Sequence, residues 1–217
     1  MTNSKFAVIG LGVFGSAIAR KLSERGADVI AIDESEDKVN EIAPFVAVSV
    51  AMNATNTDAL KGQNIQNMDA VVVSIGSDFQ QMLLCVFQLQ ELGVKRIIAR
   101  AQGPVQRKIL SKMGVLDVLS PEVEFANNIV EQLTNPSVMM CVQLPDSYEI
   151  IEVEAPRKII GRTLGDIGMR QKYNVNLVTL LNLKDGEHHI EGVPKSDTGE
   201  AAGDHMLIFG RENDINR

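Results

Sequence analysis

The 217-residue sequence predicts an α/β fold, a doubly wound parallel sheet followed by a smaller C-terminal α+β domain. Three observations predict it. Through about residue 120, short apolar runs alternate with helical patterns, the rhythm of strand–helix–strand units. Ala70–Ser74 (AVVVS) is apolar and β-branched almost without a break, as a strand buried on both faces of a parallel sheet requires. After Ser137 strands predominate and one helical pattern near 163–171 interrupts them, so the alternation ends there.

The elements follow in order. A strand at Phe6–Ile9 runs into Gly10-Leu11-Gly12-Val13-Phe14-Gly15, an amphipathic helix follows, and a second strand, Val29–Ile32, ends on Asp33. Residues 35–42 place Val39 and Ile42 on one face of a short helix that Pro44 terminates. Phe45–Val50 reads as the third strand and residues 56–61 as a helical turn, before the fourth strand at 70–74. Phe79, Met82, Leu83, Val86 and Phe87 fall at helical spacing in 78–92, and Gly93 stops that helix. Arg96–Ala99 and Val115–Leu119 supply two more strands around a helix at 104–113.

Pro121, with Ser120 as its cap, opens a helix whose stripe of Phe125, Ala126, Ile129, Val130 and Leu133 ends near Asn135-Pro136. The stripe either folds back on its own domain or packs on a second copy. The domains are expected at 1–136 and 137–217. In the second, Val138–Leu144, Glu149–Glu154, Val175–Leu181, His188–Ile190 and His205–Phe209 read as strands, with a hairpin-like turn at 145–149.

The first motif carries chemistry. Gly10 and Gly12 permit a tight turn and let the backbone approach a pyrophosphate. Gly15 lets the helix pack closely on the strand, and the helix N-terminus accepts phosphate charge. Asp33, 18 residues beyond Gly15, stands where a carboxylate hydrogen-bonds ribose hydroxyls. The first unit is therefore expected to be Rossmann-like and to bind an adenine nucleotide. Asn53-Ala54-Thr55 and Ile75-Gly76-Ser77-Asp78 follow the third and fourth strands, where adenine and ribose reach. Asp78 also suits a helix cap. Arg100 ends the fifth strand on the same rim, either to meet a phosphate or as a solvated charge.

Composition narrows the function. Net charge is −7, with 12 cationic against 15 acidic side chains through Pro136 and 9 against 13 after it, so no phosphate-backbone footprint exists and nucleic acid is not an expected partner. Hydrophobic content of 45% supports packed cores, yet no run reaches the 18 or so apolar residues of a membrane span. MTNSK leads directly into the first strand, so no signal peptide is expected and the protein reads as cytoplasmic. Cys85 (LLCVF) and Cys141 (MMCVQ) read as buried small hydrophobes of a reducing compartment.

Catalytic and metal signatures are missing. The sequence has no GxSxG, no Walker lysine and no Tyr-x-x-x-Lys, since Glu152 and Leu177 stand four residues beyond Tyr148 and Tyr173. His188 and His189 are adjacent and point to opposite faces of a strand, and His205 has no second ligand at recognisable spacing. Glu122 and Glu124 open a helix, where carboxylates complement the dipole. The nucleotide site reads as regulatory. An NAD(H)-dependent oxidoreductase and a freestanding nucleotide or redox sensor stand as alternatives.

The sequence resembles the cytoplasmic regulatory subunit of bacterial Trk/Ktr potassium-uptake systems, built on the RCK (regulator of K⁺ conductance) domain with TrkA-N and TrkA-C parts. KFAVIGLGVFG, AID-ESEDKVNEI, MNATNTDAL, VVVSIGSD and IIARAQ carry the resemblance in the first half, GRTLGDIGMRQKYNVNLVTL and GDHMLIFG in the second. It implies dimers assembled into a ring, octameric in this family, on the inner face of a membrane K⁺ transporter whose pore the nucleotide gates. It implies phosphate at Gly10, Gly12, Val13, Phe14 and Gly15, and ribose at Asp33 and Glu34. Asn53, Ala54, Thr55, Ile75, Gly76, Ser77 and Arg100 then line the remaining pocket. Glu122 matches a carboxylate that helps bind a cation, divalent or Na⁺, in Ktr-type members. Arg170, Tyr173, Val175, Asn176 and Pro194 fall where some relatives bind cyclic di-AMP, or else form a dimer interface. Many Ktr-type members carry Arg where this chain has Val13, and losing such a charge-assisted phosphate bond costs about 1.5–3 kcal/mol. NAD(H), ADP, ATP and AMP therefore all remain candidate ligands.

Overall fold

Six strands pair in parallel: β1 (Lys5–Ile9), β2 (Asp28–Asp33), β3 (Val48–Ala51), β4 (Ala70–Val73), β5 (Ile97–Arg100) and β6 (Asp117–Leu119), in the order β3-β2-β1-β4-β5-β6. The computed structural model describes residues 3–76, 78–135, 137–199 and 201–215. Helices α1 (Val13–Glu24), α2 (Glu36–Ile42), α3 (Thr57–Gly62), α4 (Phe79–Glu91) and α5 (Pro104–Lys112) connect the strands. The order reverses between β1 and β4, which opens a crevice at the carboxyl ends of those two strands.

Alternation along each strand divides the core. Ala7, Ile9, Val71 and Val73 face one cluster with Leu60, Met82, Val86 and Leu89. Val8 and Val72 face the other, with Ala19, Val29, Ala31 and Ile42. The AVVVS run is thus buried on both sides, as the sequence predicts. Asp78 accepts the Gln80 and Gln81 amide hydrogens and caps α4.

Two strand starts differ from expectation by more than one residue. Ala43–Phe45 form a 3₁₀ turn and β3 begins only at Val48, because Pro44 continues the turn instead of breaking cleanly into a strand. Phe45 instead packs under the Arg20 guanidinium, 3.7 Å from its ring centroid. β6 begins at Asp117 because Gly114, at φ +88°, and the Val115 amide, bonded to the Leu110 carbonyl, close the end of α5.

The chain divides into two compact units, Met1–Val123 and Glu124–Arg217. The division falls within α6 (Pro121–Thr134), ahead of the 136/137 boundary expected from the sequence, and Pro136 lies outside the described residues. None of the α6 residues is buried, and Phe125 and Leu133 are 67% and 77% exposed. The stripe is thus left largely exposed on the protomer.

The second unit is an antiparallel sheet in the order β10-β9-β11-β8-β7, built from β7 (Val138–Leu144), β8 (Tyr148–Glu154), β9 (Asn176–Lys184), β10 (Glu187–Ile190) and β11 (His205–Arg211). The helical pattern near 163–171 is two short helices, α7 (Leu164–Ile167) and α8 (Met169–Tyr173), because Gly168 adopts φ +64° between them. A last turn of helix, α9 (Glu212–Ile215), follows β11 and was not expected. His188 and His205 stack at 3.8 Å between centroids, and His205 Nδ1 lies 2.7 Å from Glu152 Oε1. No spacing reveals this cluster, because β9 lies between the two histidine-bearing strands.

Both cysteines are buried. Burial pushes the Cys85 thiol up to about 12. Burial, reinforced by the Glu149 carboxylate, raises Cys141 to about 11. Glu149 is itself buried and accepts the Cys141 thiol at 3.5 Å. Burial raises its pKa, the thiol bond partly offsets the rise, and Glu212 and Glu131 add to it.

Two outcomes follow from this packing. A β-carbon on Gly15 would stand 1.9 Å from the Gly10 carbonyl oxygen, so Gly15→Ala is expected to cost about 1–3 kcal/mol in urea unfolding followed by far-UV circular dichroism. Glu149 binds its proton more tightly folded than unfolded, so stability falls as pH rises through that window. Glu149→Gln is expected to melt higher than the parent at pH 7–8, the difference fading as pH drops below the ordinary carboxylate value of 4.5.

Candidate functional site

At the strand-order reversal the carboxyl ends of the strands surround a cavity of about 220 Å³. Its floor is the turn between β1 and α1. Gly10 adopts φ +92°, and a β-carbon there would stand 2.7 Å from the Ser74 carbonyl carbon, so β1 and the end of β4 approach each other only through glycine. Gly15 brings α1 against the same turn. Gly12 differs: its φ is −71° and a β-carbon would meet nothing within 4 Å. Packing does not require glycine at Gly12, and its open side adjoins the cavity it lines. Gly12 is also the N-cap of α1 and supplies no capping side chain, so the first-turn amides and the positive end of the helix dipole are left for an anion.

Asp33 holds this turn from the neighbouring strand. Its Oδ2 accepts the Leu11 amide hydrogen at 2.7 Å and its Oδ1 accepts that of Ser35 at 2.9 Å. Lys38 Nζ lies 3.3 Å from both carboxylate oxygens. Asp33 is buried, while the Lys38 side chain is 48% exposed.

Beyond β4 and β5 the rim is polar. Ser74 Oγ and Arg100 Nε are buried and have no hydrogen-bond partner among the described residues, and both residues border the cavity. Arg100 Nη2 donates to the Glu122 carboxylate, and its Cζ lies 5.7 Å from the Phe14 ring centroid. The Arg100 side chain is only 19% exposed, so the solvated-charge reading is not the one realised. Gly76 leaves room beside it, since a β-carbon there would stand 3.3 Å from Arg100 Nη1.

Of the residues expected from the sequence, Gly10, Gly12, Asp33, Glu34, Ala54, Ile75, Gly76 and Arg100 line the cavity together. Gly15 acts from below as a packing contact. Val13 is 95% exposed and, like Phe14, lies outside the lining. Asn53 and Thr55 also lie outside it and satisfy each other: Asn53 Oδ1 accepts the Thr55 amide and hydroxyl hydrogens at 2.8 and 2.7 Å. Ser77 lies outside the described residues. Glu122 is engaged by Arg100, and among the described residues no group of three His, Cys, Asp or Glu is placed to hold a metal ion.

Sequence reasoning missed Ser74, Lys38, Gln81, Met52 and Ile9, which also line the cavity. No local signal marks Ser74, the last residue of the AVVVS run, or Lys38, one of several charged residues after Asp33. In the second unit four of the five expected ligand positions fall into two pairs. Arg170 Nε donates to Asn176 Oδ1. Tyr173 and the buried Val175 line a separate cavity of about 100 Å³ with Ile159, Ile167 and Met206, and Pro194 is not part of that lining.

Comparison with known proteins places this geometry in a family. The family model of the TrkA-N domain matches residues 6–121, more than half of the chain. The chain belongs to the TrkA-N domain family. Ktr system potassium uptake protein C of Bacillus subtilis (strain 168) is 35% identical over 213 residues, which cover 98% of this chain and 95% of that protein. Ktr system potassium uptake protein A of the same organism is 33% identical, over 99% and 95% of the two. Among solved structures, the GsuK RCK domain covers 99% of this chain at TM-score 0.69 and 16% identity. This chain spans only 46% of that one, so the likeness establishes the fold of one TrkA-N chain and no more. The GsuK channel bound to NAD matches at TM-score 0.54 and 20% identity, with this chain spanning 38% of it.

Asn at position 33 would set an amide N–H₂ against a backbone donor. Asp33→Asn is therefore expected to lower stability by about 1–3 kcal/mol, measured by thermal unfolding, with the loss traced to the first unit by faster amide exchange at Leu11.

Proposed function

We propose that this chain is the nucleotide-sensing regulatory subunit of a bacterial Ktr-type potassium-uptake system. One observation carries the reading. The cavity brings together an open Gly12 and an uncapped helix N-terminus, and is bordered by Ser74 and Arg100, whose buried Oγ and Nε lack protein partners among the described residues. Buried polar groups are ordinarily satisfied, and a phosphate and sugar supply the missing acceptors and donors. The Ktr potassium-uptake names of relatives spanning nearly the whole chain supply the physiological context.

In this reading residues 1–136, including α6, are the ligand-reading domain and 137–217 the companion domain. The first-turn amides of α1, beginning with Val13 and Phe14 and set by Gly10, Gly12 and Gly15, receive phosphate. Asp33 and Glu34 face the ribose. Ala54, Ile75, Gly76 and Arg100 border the base and the remaining phosphate, with Asn53, Thr55 and Ser77 beside them. NAD(H), ADP, ATP and AMP share this chemistry. In this reading the role is non-enzymatic, in keeping with the potassium-uptake names of the relatives.

Nucleotide acts through different affinities for two arrangements of an oligomer. The exposed stripe of α6 suits the contact between copies, and dimers built on it assemble into a ring, octameric in our reading, against the inner face of a membrane K⁺ transporter. No helix among the described residues is long and apolar enough to cross a membrane, so the partner supplies the pore. Glu122, at the head of α6 and paired with Arg100, is the position for a divalent cation or Na⁺ when nucleotide engages Arg100. Arg170, Tyr173, Val175, Asn176 and Pro194 are the proposed contacts of cyclic di-AMP.

The test is calorimetric titration of AMP, ADP, ATP and NADH into the purified chain, with K⁺ flux measured in proteoliposomes holding the Ktr membrane subunit. Gly12→Asp is expected to weaken nucleotide binding about 100-fold through like-charge repulsion and bulk, with its melting temperature equal to or slightly above the parent's, because the site is open and Asp suits an N-cap. Full affinity in Gly12→Asp, or flux indifferent to every nucleotide, contradicts the proposal.

A further inference from the structure

Lys38 occupies the position that a ribose diol needs, and we infer that it is an internal competitor for Asp33 that sets how strongly the site selects a cis-diol sugar. The inference rests on the nucleotide reading above and adds to it a residue outside the glycine motif.

The three donors to Asp33 are not equivalent. The Leu11 amide, at 2.7 Å, belongs to the glycine turn, and the Ser35 amide, at 2.9 Å, belongs to the entry of α2. Neither leaves without stranding a backbone N–H and unmaking the loop that shapes the cavity. Lys38 Nζ stands 3.3 Å from both oxygens, longer than the roughly 2.7–2.9 Å of a well-formed charge-assisted bond. Its side chain is half-exposed at the cavity wall and flexible. It is the partner that yields.

A carboxylate has about four acceptor sites. Two are committed to the backbone amides, and the ammonium bridges the two oxygens on the side left open. The 2′- and 3′-hydroxyls of a ribose are two adjacent O–H donors that bind a carboxylate through that same pair of oxygens. Diol and ammonium therefore compete, and binding a ribonucleotide moves Lys38 off Asp33. The apparent contribution of the diol is what remains after that displacement.

The experiment isolates the diol from the phosphate. Dissociation constants are measured for AMP and for 2′,3′-dideoxy-AMP, with the parent chain, Lys38→Gln and Lys38→Arg. The ratio of the two constants reports the diol alone, because loss of a cation changes phosphate attraction equally for both nucleotides. Lys38→Gln is expected to raise the ratio at least fivefold, and Lys38→Arg, which keeps the competing cation, to stay within twofold of the parent. A Lys38→Gln ratio that is unchanged or reduced overturns the inference, since Lys38 is then a bystander or a contact of the ligand. Asp33 keeps both backbone donors in these variants, so an unchanged melting temperature confirms that the fold is intact. If the parent chain binds no adenine nucleotide, the proposed function falls. If it binds AMP and the ratio does not rise, only the inference falls.

Discussion

The bond from the Leu11 amide to the Asp33 carboxylate organises this protein. It crosses from the turn after the first strand to the end of the second and fixes the glycine loop before any ligand arrives. The loop's shape is set from below by packing, since Gly10 and Gly15 leave no room for a β-carbon. It is set from the side by charge, through a buried carboxylate that accepts two backbone amides. What remains free is the face of the turn at Gly12 and the head of α1. Preorganisation of this kind lowers the ordering cost of binding.

The same carboxylate links the site to its surroundings. Through Ser35 it anchors the start of α2, and through Lys38 it reaches the cavity wall. Across the cavity, Arg100 connects the rim of the fifth strand to Glu122 in the first turn of α6, the helix whose apolar stripe lies exposed. In the proposed reading, a ligand at Arg100 and the surface of α6 would be one side chain apart, joined by the Arg100–Glu122 ion pair.

The parallel sheet was legible because its signals are local. AVVVS can only be a strand buried on both faces, and the glycine spacing with Asp33 at the end of the next strand admits few other folds. Boundaries failed where a turn outlasted its breaker: Pro44 sits inside a 3₁₀ turn, so Phe45 never joins a strand. Within the site, glycines and the acid were readable, whereas Ser74 and Lys38 were not. Each is an ordinary residue type that becomes informative only when its atom is seen buried without a partner or shared between two oxygens. The second unit was read less finely, since its pairings are long-range. Asp185-Gly186, both at positive φ, turns β9 into β10 and was a usable hairpin signal. The His188–His205–Glu152 cluster had no such local sign.

Residue-resolved amide hydrogen exchange across 10–16, with and without saturating ADP, measures the central claim directly. A turn fixed in advance by Asp33 keeps the Leu11 amide slow in both states, while Val13 and Phe14, at the uncapped start of α1, slow only when nucleotide is added. If Leu11 exchanges freely without ligand, or Val13 and Phe14 are indifferent to ADP, then the loop is not preformed or the phosphate lies elsewhere, and the account is wrong.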